Sequence, residues 1–180
     1  MDFKILELRP YMLNDENLYK MLKEIPYKDS FGQTNEFFNL TKEEMKQKII
    51  EQMKNAYSLN LTKNVLPCEH FVLYKGDLPV CIGGLRLKLN KYRLRHSGNI
   101  WYKTSPKEQN KGYATKFVEL LKERAKELGM KEIFAQCNKE NIYSLKVLKA
   151  NGFLEYQKED CKDWIDTIFL KVSLENDVQH

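Results

Sequence analysis

Residues 99–117, NIWYKTSPKEQNKGYATKF, decide how the rest of the chain is read. An apolar run, Ile100, Trp101 and Tyr102, passes through a Ser-Pro turn into a polar loop, and Gly112 then opens an amphipathic segment. Ala114, Phe117, Val118, Leu121, Ala125 and Leu128 fall on one stripe at helical spacing, with Lys116, Glu119, Lys122, Glu123 and Lys126 off it. The spacing predicts strand, loop and helix, with one helical face buried. Gln109-Asn110-Lys111-Gly112-Tyr113-Ala114 places backbone N–H groups where no helical carbonyl receives them. The macrodipole favours an anion there by about 0.3–1 kcal/mol per group, and by up to about 2 when it is partly buried. Gly112 has no side chain to hold a phosphate off the backbone, and Lys107, Lys111 and Lys116 add mobile positive charge. A pyrophosphate suits such a site, although an ordinary helix start would use the same residues.

Gln109-x-x-Gly112-x-Ala114 matches an (Arg/Gln)-x-x-Gly-x-(Gly/Ala) signature, and with it the chain resembles the GCN5-related N-acetyltransferase (GNAT) superfamily. A second segment, Asn141-Ile142-Tyr143-Ser144 followed by Val147-Leu148 and Asn151-Gly152-Phe153, resembles that family's Asn-x-x-(Ala/Ser) helix ending in Gly-Phe. The likeness covers residues 83–170 well and the N-terminal third poorly. Arg95-His96-Ser97-Gly98-Asn99-Ile100 and Trp164-Ile165-Asp166 look most like a bacterial group of predicted acetyltransferases.

The resemblance implies an α/β (α+β) GNAT fold: a mixed, mostly antiparallel sheet of about six to seven strands flanked by about four helices, splayed at its central parallel strands. The pantetheine of acetyl-CoA would enter between the strands at 100–104 and 133–137. Thr104 would bond the pantetheine amides, and Gln109, Asn110, Lys111, Gly112, Tyr113, Ala114 and Thr115 would hold the pyrophosphate. Asn141 and Ser144 would contact the arm near the thioester, although Asn141 also reads as a plain helix cap. The implied reaction is direct attack of a primary amine on the acetyl thioester. The acceptor is expected to be a small-molecule amine, with a protein N-terminus or lysine as the alternative. Tyr27, Phe31, Phe37, Phe38 and Tyr57, from the first two helices and their connection, are candidate acceptor contacts, and core packing would use them equally well.

The proton carriers depart from the commoner family pattern. The usual tyrosine acid is replaced by Leu148, and the usual glutamate base falls near Gly98. His96 and His70 are the candidate bases, because an unperturbed imidazole titrates near neutrality. A non-catalytic acyl-CoA-binding module is the competing class. A nucleotide-binding regulatory domain is weaker, since neither G-x-G-x-x-G nor a Walker sequence is present.

Composition agrees with a globular protein: 180 residues, 42% hydrophobic and 31% charged, expected to form one domain over 1–174 with a frayed tail at 175–180. The N-terminal residues resemble no secretory leader, and no run approaches 18 apolar residues, so a soluble, cytoplasmic protein with no membrane partner is expected. Cys68, Cys81, Cys137 and Cys161 lie far apart and share no ligand spacing with the histidines, so reduced thiols and no metal are expected. The net charge of +5 is interleaved rather than blocked, which argues against a nucleic-acid partner. A homodimer is compatible with all of this.

Along the chain, Phe3 to Leu8 is expected as a strand stopped by Pro10, and Asn14 to Lys23 and Thr41 to Tyr57 as helices. His70 to Tyr74 and Val80 to Leu89 form a hairpin turning at Lys75-Gly76-Asp77, with the Gly83-Gly84 pair weakening the second strand or marking a bulge. Lys131 to Cys137, Phe153 to Glu159 and Trp164 to Val172 are the remaining strands, and Asn141 to Asn151 the last helix.

Overall fold

A computed structural model describes residues 6–31, 33–57, 66–157 and 166–175. The elements run β1 (Leu6–Pro10), α1 (Glu16–Glu24), α2 (Lys42–Asn55), β2 (Cys68–Lys75), β3 (Leu78–Arg86), α3 (Lys91–His96), β4 (Ile100–Thr104), α4 (Tyr113–Glu127), β5 (Glu132–Asn138), α5 (Ile142–Ala150), β6 (Leu154–Glu155) and β7 (Thr167–Ser173). Local chemistry explains most of the boundaries. Asp15 accepts from Asn17 N and Leu18 N to start α1, a Thr41/Glu44 capping box starts α2, and Asn141 accepts from Ser144 N to start α5. Gly76, at φ 59°, turns the β2–β3 hairpin.

The strands form two antiparallel sheets, ordered β1-β2-β3-β4 and β5-β7-β6. Alternation along each strand then assigns the faces. In the first sheet Cys68 is opposite Arg86, His70 opposite Gly84, Val72 opposite Ile82, and Gly84 opposite Trp101. These side chains share one face. Val72, Ile82 and Trp101 on that face pack with Leu18, Leu22, Met45 and Ile49 from α1 and α2. The opposite face, with Leu73, Cys81, Leu85, Ile100 and Tyr102, packs with Phe117, Val118 and Leu121 of α4, and Ile133 and Ala135 of β5 complete that core.

Several expectations change. The register shift in the hairpin lies at Leu73/Tyr74, not at the glycine pair. Gly83 and Gly84 instead permit close approach on both faces. A Cβ on Gly83 would come within 2.5 Å of the Phe117 ring, and one on Gly84 within 2.5 Å of Trp101 Nε1. Five helices are present among the described residues instead of about four, because Asn90 caps the short, polar α3 by accepting from Arg93 N. β1 ends at Pro10 as expected but includes it: Pro10 sits opposite Phe71 in the edge strand, where proline is tolerated. Every registered strand pair is antiparallel, and the two central strands, β4 and β5, are not paired along their length. The expected strand starts at Phe3 and Trp164, the end near Glu159, Cys161 and the tail beyond Glu175 lie outside the described residues.

The two sheets are stitched together just before β4. Asn99, 4% exposed, donates its backbone N–H to Phe134 O at 2.7 Å, and its side chain accepts from Phe134 N at 2.8 Å. The same side chain donates to Arg86 O at 2.9 Å, so one amide bonds β3 and β5 together. Gly98 makes the approach possible. At φ 66° it occupies the left-handed region, and a Cβ there would lie 2.3 Å from Phe134 O. Beyond this joint β4 and β5 separate, which opens the groove between them.

A second polar contact ties β2 to α4. Glu69, 5% exposed, accepts from Arg124 Nη2 at 2.7 Å and Arg124 Nε at 2.9 Å, and also from the Tyr57 hydroxyl. Burial pushes the Glu69 carboxyl up, but the hydrogen bonds from Arg124 and Tyr57 outweigh it and hold the group below its ordinary value. Stability from this group is therefore full above the unfolded pKa near 4.3 and is lost as pH falls through the lower folded value.

Asn99→Ala leaves Phe134 N and Arg86 O unsatisfied, and at about 1–3 kcal/mol for each orphaned group it is expected to lower urea-unfolding stability by about 2–4 kcal/mol. Glu69→Gln is expected to be less stable than the parent at pH 7 by about 1–3 kcal/mol. That gap closes on acidification below the ordinary glutamate range, as urea midpoints at pH 7 and pH 3 would show.

Candidate active site

The loop after β4 is built from its own backbone. Ser105 N bonds Val80 O, Pro106 to Glu108 make one 3-10 turn, and Asn110 (φ 60°) and Gly112 (φ 75°) both adopt the left-handed region. Gly112 is the residue preceding α4, and no side chain caps that end. No acidic residue lies in the first turn of α4, and its first helical bond runs from Lys116 N to Gly112 O. The N–H groups at the start of α4 thus face the groove without an acid or a cap to satisfy them. The lysines of the loop and of the first turn of α4 are each paired with a glutamate. Lys107 pairs with Glu24 at 2.6 Å, Lys111 with Glu108 at 3.0 Å, and Lys116 with Glu119 at 2.8 Å.

Asn151 explains the second motif. Its side-chain amide donates to Thr115 O at 3.1 Å and to Val147 O at 3.0 Å, and so holds the end of α5 against the first turn of α4. Phe153 follows it into the core.

The register of β4 adds a second set of donors. Arg86 N bonds Asn99 O, and Ser105 N bonds Val80 O. By antiparallel alternation Trp101 and Lys103 also turn their backbone groups to β3, while those of Ile100, Tyr102 and Thr104 point away, off the sheet edge. This free edge runs along a groove of about 1590 Å³ that ends at the start of α4. Thr104, Gln109, Asn110, Gly112, Tyr113, Ala114, Thr115, Asn141 and Ser144 all line the groove. Lys111 is the one predicted cofactor residue not among them; it bonds Lys107 O and organises the loop from behind.

Sequence reasoning missed Tyr102. Its hydroxyl lies 2.8 Å from Ser144 Oγ, bridging β4 and α5, and burial raises its pKa well above the ordinary phenol value. It is a neutral hydroxyl at physiological pH. Strand alternation could have found it, since Tyr102 and Trp101 must point to opposite faces. Leu148, at the position of the usual acid, is 1% exposed and part of the core.

On the acceptor side, Phe31 and Phe37 line the groove, and Phe37 also belongs to the α1–α2 core. Tyr27 and Phe38 do not: they are exposed and pack on each other, with ring centroids 6.3 Å apart. Tyr57 instead serves Glu69. His70 and His96 both line the groove. Burial lowers the His70 pKa to about 4, so its imidazole is neutral and a weak base at pH 7, packed edge-on to Trp101 at 5.8 Å. His96 is exposed and stacks on Tyr92 at 4.2 Å. Cys68, Cys81 and Cys137 are free and buried, and burial pushes the Cys81 thiol up to about 12. Among the described residues no cluster of metal-ligating side chains occurs, and no helix is long and apolar enough to cross a membrane.

Comparison with known proteins agrees with this geometry. The chain is 38% identical over 85 residues to the uncharacterized N-acetyltransferase YnaD of Bacillus subtilis (strain 168), a match covering 47% of this chain and 49% of that protein. The chain thus spans about half the length of this curated relative. The ribosomal-protein-S5-alanine acetyltransferase from Vibrio fischeri superposes with a TM-score of 0.67 at 20% identity, covering 98% of this chain and 97% of the other. RimL, a ribosomal L7/L12 α-N-protein acetyltransferase solved with coenzyme A, superposes with a TM-score of 0.66 at 12% identity, covering 94% of each chain. At these identities the structural likeness shows the fold. A family model described as an acetyltransferase (GNAT) domain matches residues 6–154, most of the chain, and on that match the protein belongs to the GNAT acetyltransferase family.

Proposed function

We propose that the protein is an acetyl-CoA-dependent N-acetyltransferase acting on a primary amine, with a small molecule as acceptor. One observation carries this reading: the free edge of β4 and the uncapped start of α4 lie in series along a single groove. The family uses acetyl-CoA as its acetyl donor. Backbone groups of Tyr102 and Thr104 would bind the pantetheine amides as a neighbouring strand would, and the N–H groups of residues 112–115 would receive the pyrophosphate. Support for a small acceptor comes from the other face of β4, where α2 and residues 28–31 and 33–37 wall the groove.

The amine lone pair attacks the thioester carbonyl carbon, the C–S bond breaks, and the products are an N-acetyl amide and a thiol. An aliphatic amine with a pKa near 10.4 must first lose a proton. With His70 a weak base and Gly98 bearing no carboxylate, that proton leaves to water in the open groove. The developing oxyanion needs a donor, and the outward N–H groups of β4 supply one. As the C–S bond breaks, the tetrahedral nitrogen sheds its remaining extra proton and sulfur gains one. Tyr102, neutral and held by Ser144, can give its hydroxyl proton to sulfur and recover one from the nitrogen through water, so that no charge is left on the phenol. Binding of both reactants in one groove supplies the remaining advantage as effective molarity. The buried Leu148 is what a non-catalytic binding module would share, and turnover on a panel of amines separates the two readings.

Gly112→Asp would force a side chain into a left-handed position and set a carboxylate against the pyrophosphate. Acetyl-CoA binding by calorimetry is expected to be lost, and unchanged affinity would remove the phosphate assignment. Tyr102→Phe is expected to lower kcat by about 10²-fold with acetyl-CoA affinity little changed. An unaltered kcat would take the proton-donor role from Tyr102.

A further inference from the structure

The acceptor half of the groove holds a positive charge that nothing among the described residues answers. Arg86 ends β3 on the face covered by α1 and α2, opposite Cys68 on β2. Its guanidinium uses Nη1 to donate to Gly98 O at 3.0 Å. A guanidinium carries five N–H donors, and this one has no carboxylate partner among the described residues. Burial, with the repulsion of Arg93, lowers its pKa, and the neighbouring Cys68 thiol, pushed up to about 11 by its own burial, is neutral at pH 7 and offers no counter-charge. Arg86 is half-buried, and a charge withdrawn from water in this way is ordinarily paired. The carboxylates lining this half of the groove are engaged elsewhere or stand at its surface. Glu36 pairs with Lys48 at 2.8 Å, Asp29 accepts from Phe31 N and Gln33 N, and Glu51 is exposed.

The same groove also collects buried polar atoms without partners. Gln52 Oε1, His70 Nδ1 and Ser97 Oγ have none among the described residues, and all three residues line it. A fourth, the Tyr11 hydroxyl, belongs to a ring packed 5.9 Å from His70. Orphaned polar atoms of this kind point to a ligand that completes them. Gln52 Oε1 and a neutral His70 Nδ1 accept from N–H groups, while Arg86 calls for a planar oxoanion that can take two of its donors. A purely cationic amine would answer the first set and be repelled by Arg86 and Arg93.

We propose that the acceptor is a small amine that also carries a carboxylate, an amino acid or a close relative, with Arg86 binding the carboxylate. This rests on the N-acetyltransferase reading for the word acceptor, but the carboxylate subsite can be measured without turnover. Calorimetry on the protein would use matched pairs: lysine against cadaverine, phenylalanine against phenethylamine, and β-alanine against O-phosphoethanolamine. In at least one of the first two pairs the amino acid is expected to bind about tenfold to a hundredfold more tightly than its decarboxylated partner. Arg86→Gln is expected to erase that preference in a protein that still binds acetyl-CoA, and Arg86→Lys to keep part of it. Equal affinity within both of those pairs, including no binding by any member, would overturn the proposal without recourse to a variant. An Arg86→Gln protein that keeps the preference would also overturn it, and tighter binding of O-phosphoethanolamine than β-alanine would reassign the site to phosphate. A parent protein that prefers the amino acid yet ignores acetyl-CoA would sink the enzyme reading and leave the carboxylate subsite standing.

Discussion

The amide of Asn99 is the contact on which the architecture turns. It bonds Phe134 and Arg86 at once, and so joins the four-stranded and three-stranded sheets at one point. A sheet joined along its whole length would leave no groove, and two unjoined sheets would have no common core. Fastening them at the start of β4 and nowhere further along lets the strands part, and parting exposes the backbone groups of Tyr102 and Thr104. Gly98 is the covalent condition for this, since its neighbour's carbonyl occupies the space a Cβ would need.

The division of labour between the two faces of β4 follows from period-two alternation. Tyr102 turns toward α4 and α5, where its hydroxyl meets Ser144; Trp101 turns toward α1 and α2, where it meets His70. The glycine pair on β3 lets bulky groups lie against the strand on either side, Phe117 on one and the indole of Trp101 on the other. One strand thereby divides the α4–α5 side of the groove from the α2 side. Asn151 performs a similar service at the far end, fixing the first turn of α4 to the end of α5, so the uncapped N–H groups are held in place by a residue outside the loop that carries them.

Much of this was legible in residue order. The helical stripe from Ala114 to Leu128, the capping box at Thr41, the turn at Gly76 and the helix ending at Asn151-Gly152 are local patterns, set by side chains within a few residues of one another. The same locality made the uncapped start of α4 readable, because left-handed backbone at Gly112 and a missing cap are properties of a short segment. The short helix at Lys91–His96 escaped notice since it has few apolar residues and little room for a period. The glycine pair was misjudged for a different reason: its use depends on Phe117 and Trp101, which sequence does not place beside it.

Sequence by itself determined the family, most of the elements, and the glycine-led start of α4, because each depends on spacing along the chain. Tertiary structure alone decided which groups share the groove. It paired the loop lysines with glutamates, moved Tyr27, Phe38 and Tyr57 away from the acceptor side, neutralised His70 by burial, and brought Tyr102 to Ser144. It also left Arg86 half-buried near Cys68 and Arg93 with no described carboxylate. Charge, protonation and partnership depend on what surrounds a group in space, and residues far apart in the chain supply those surroundings.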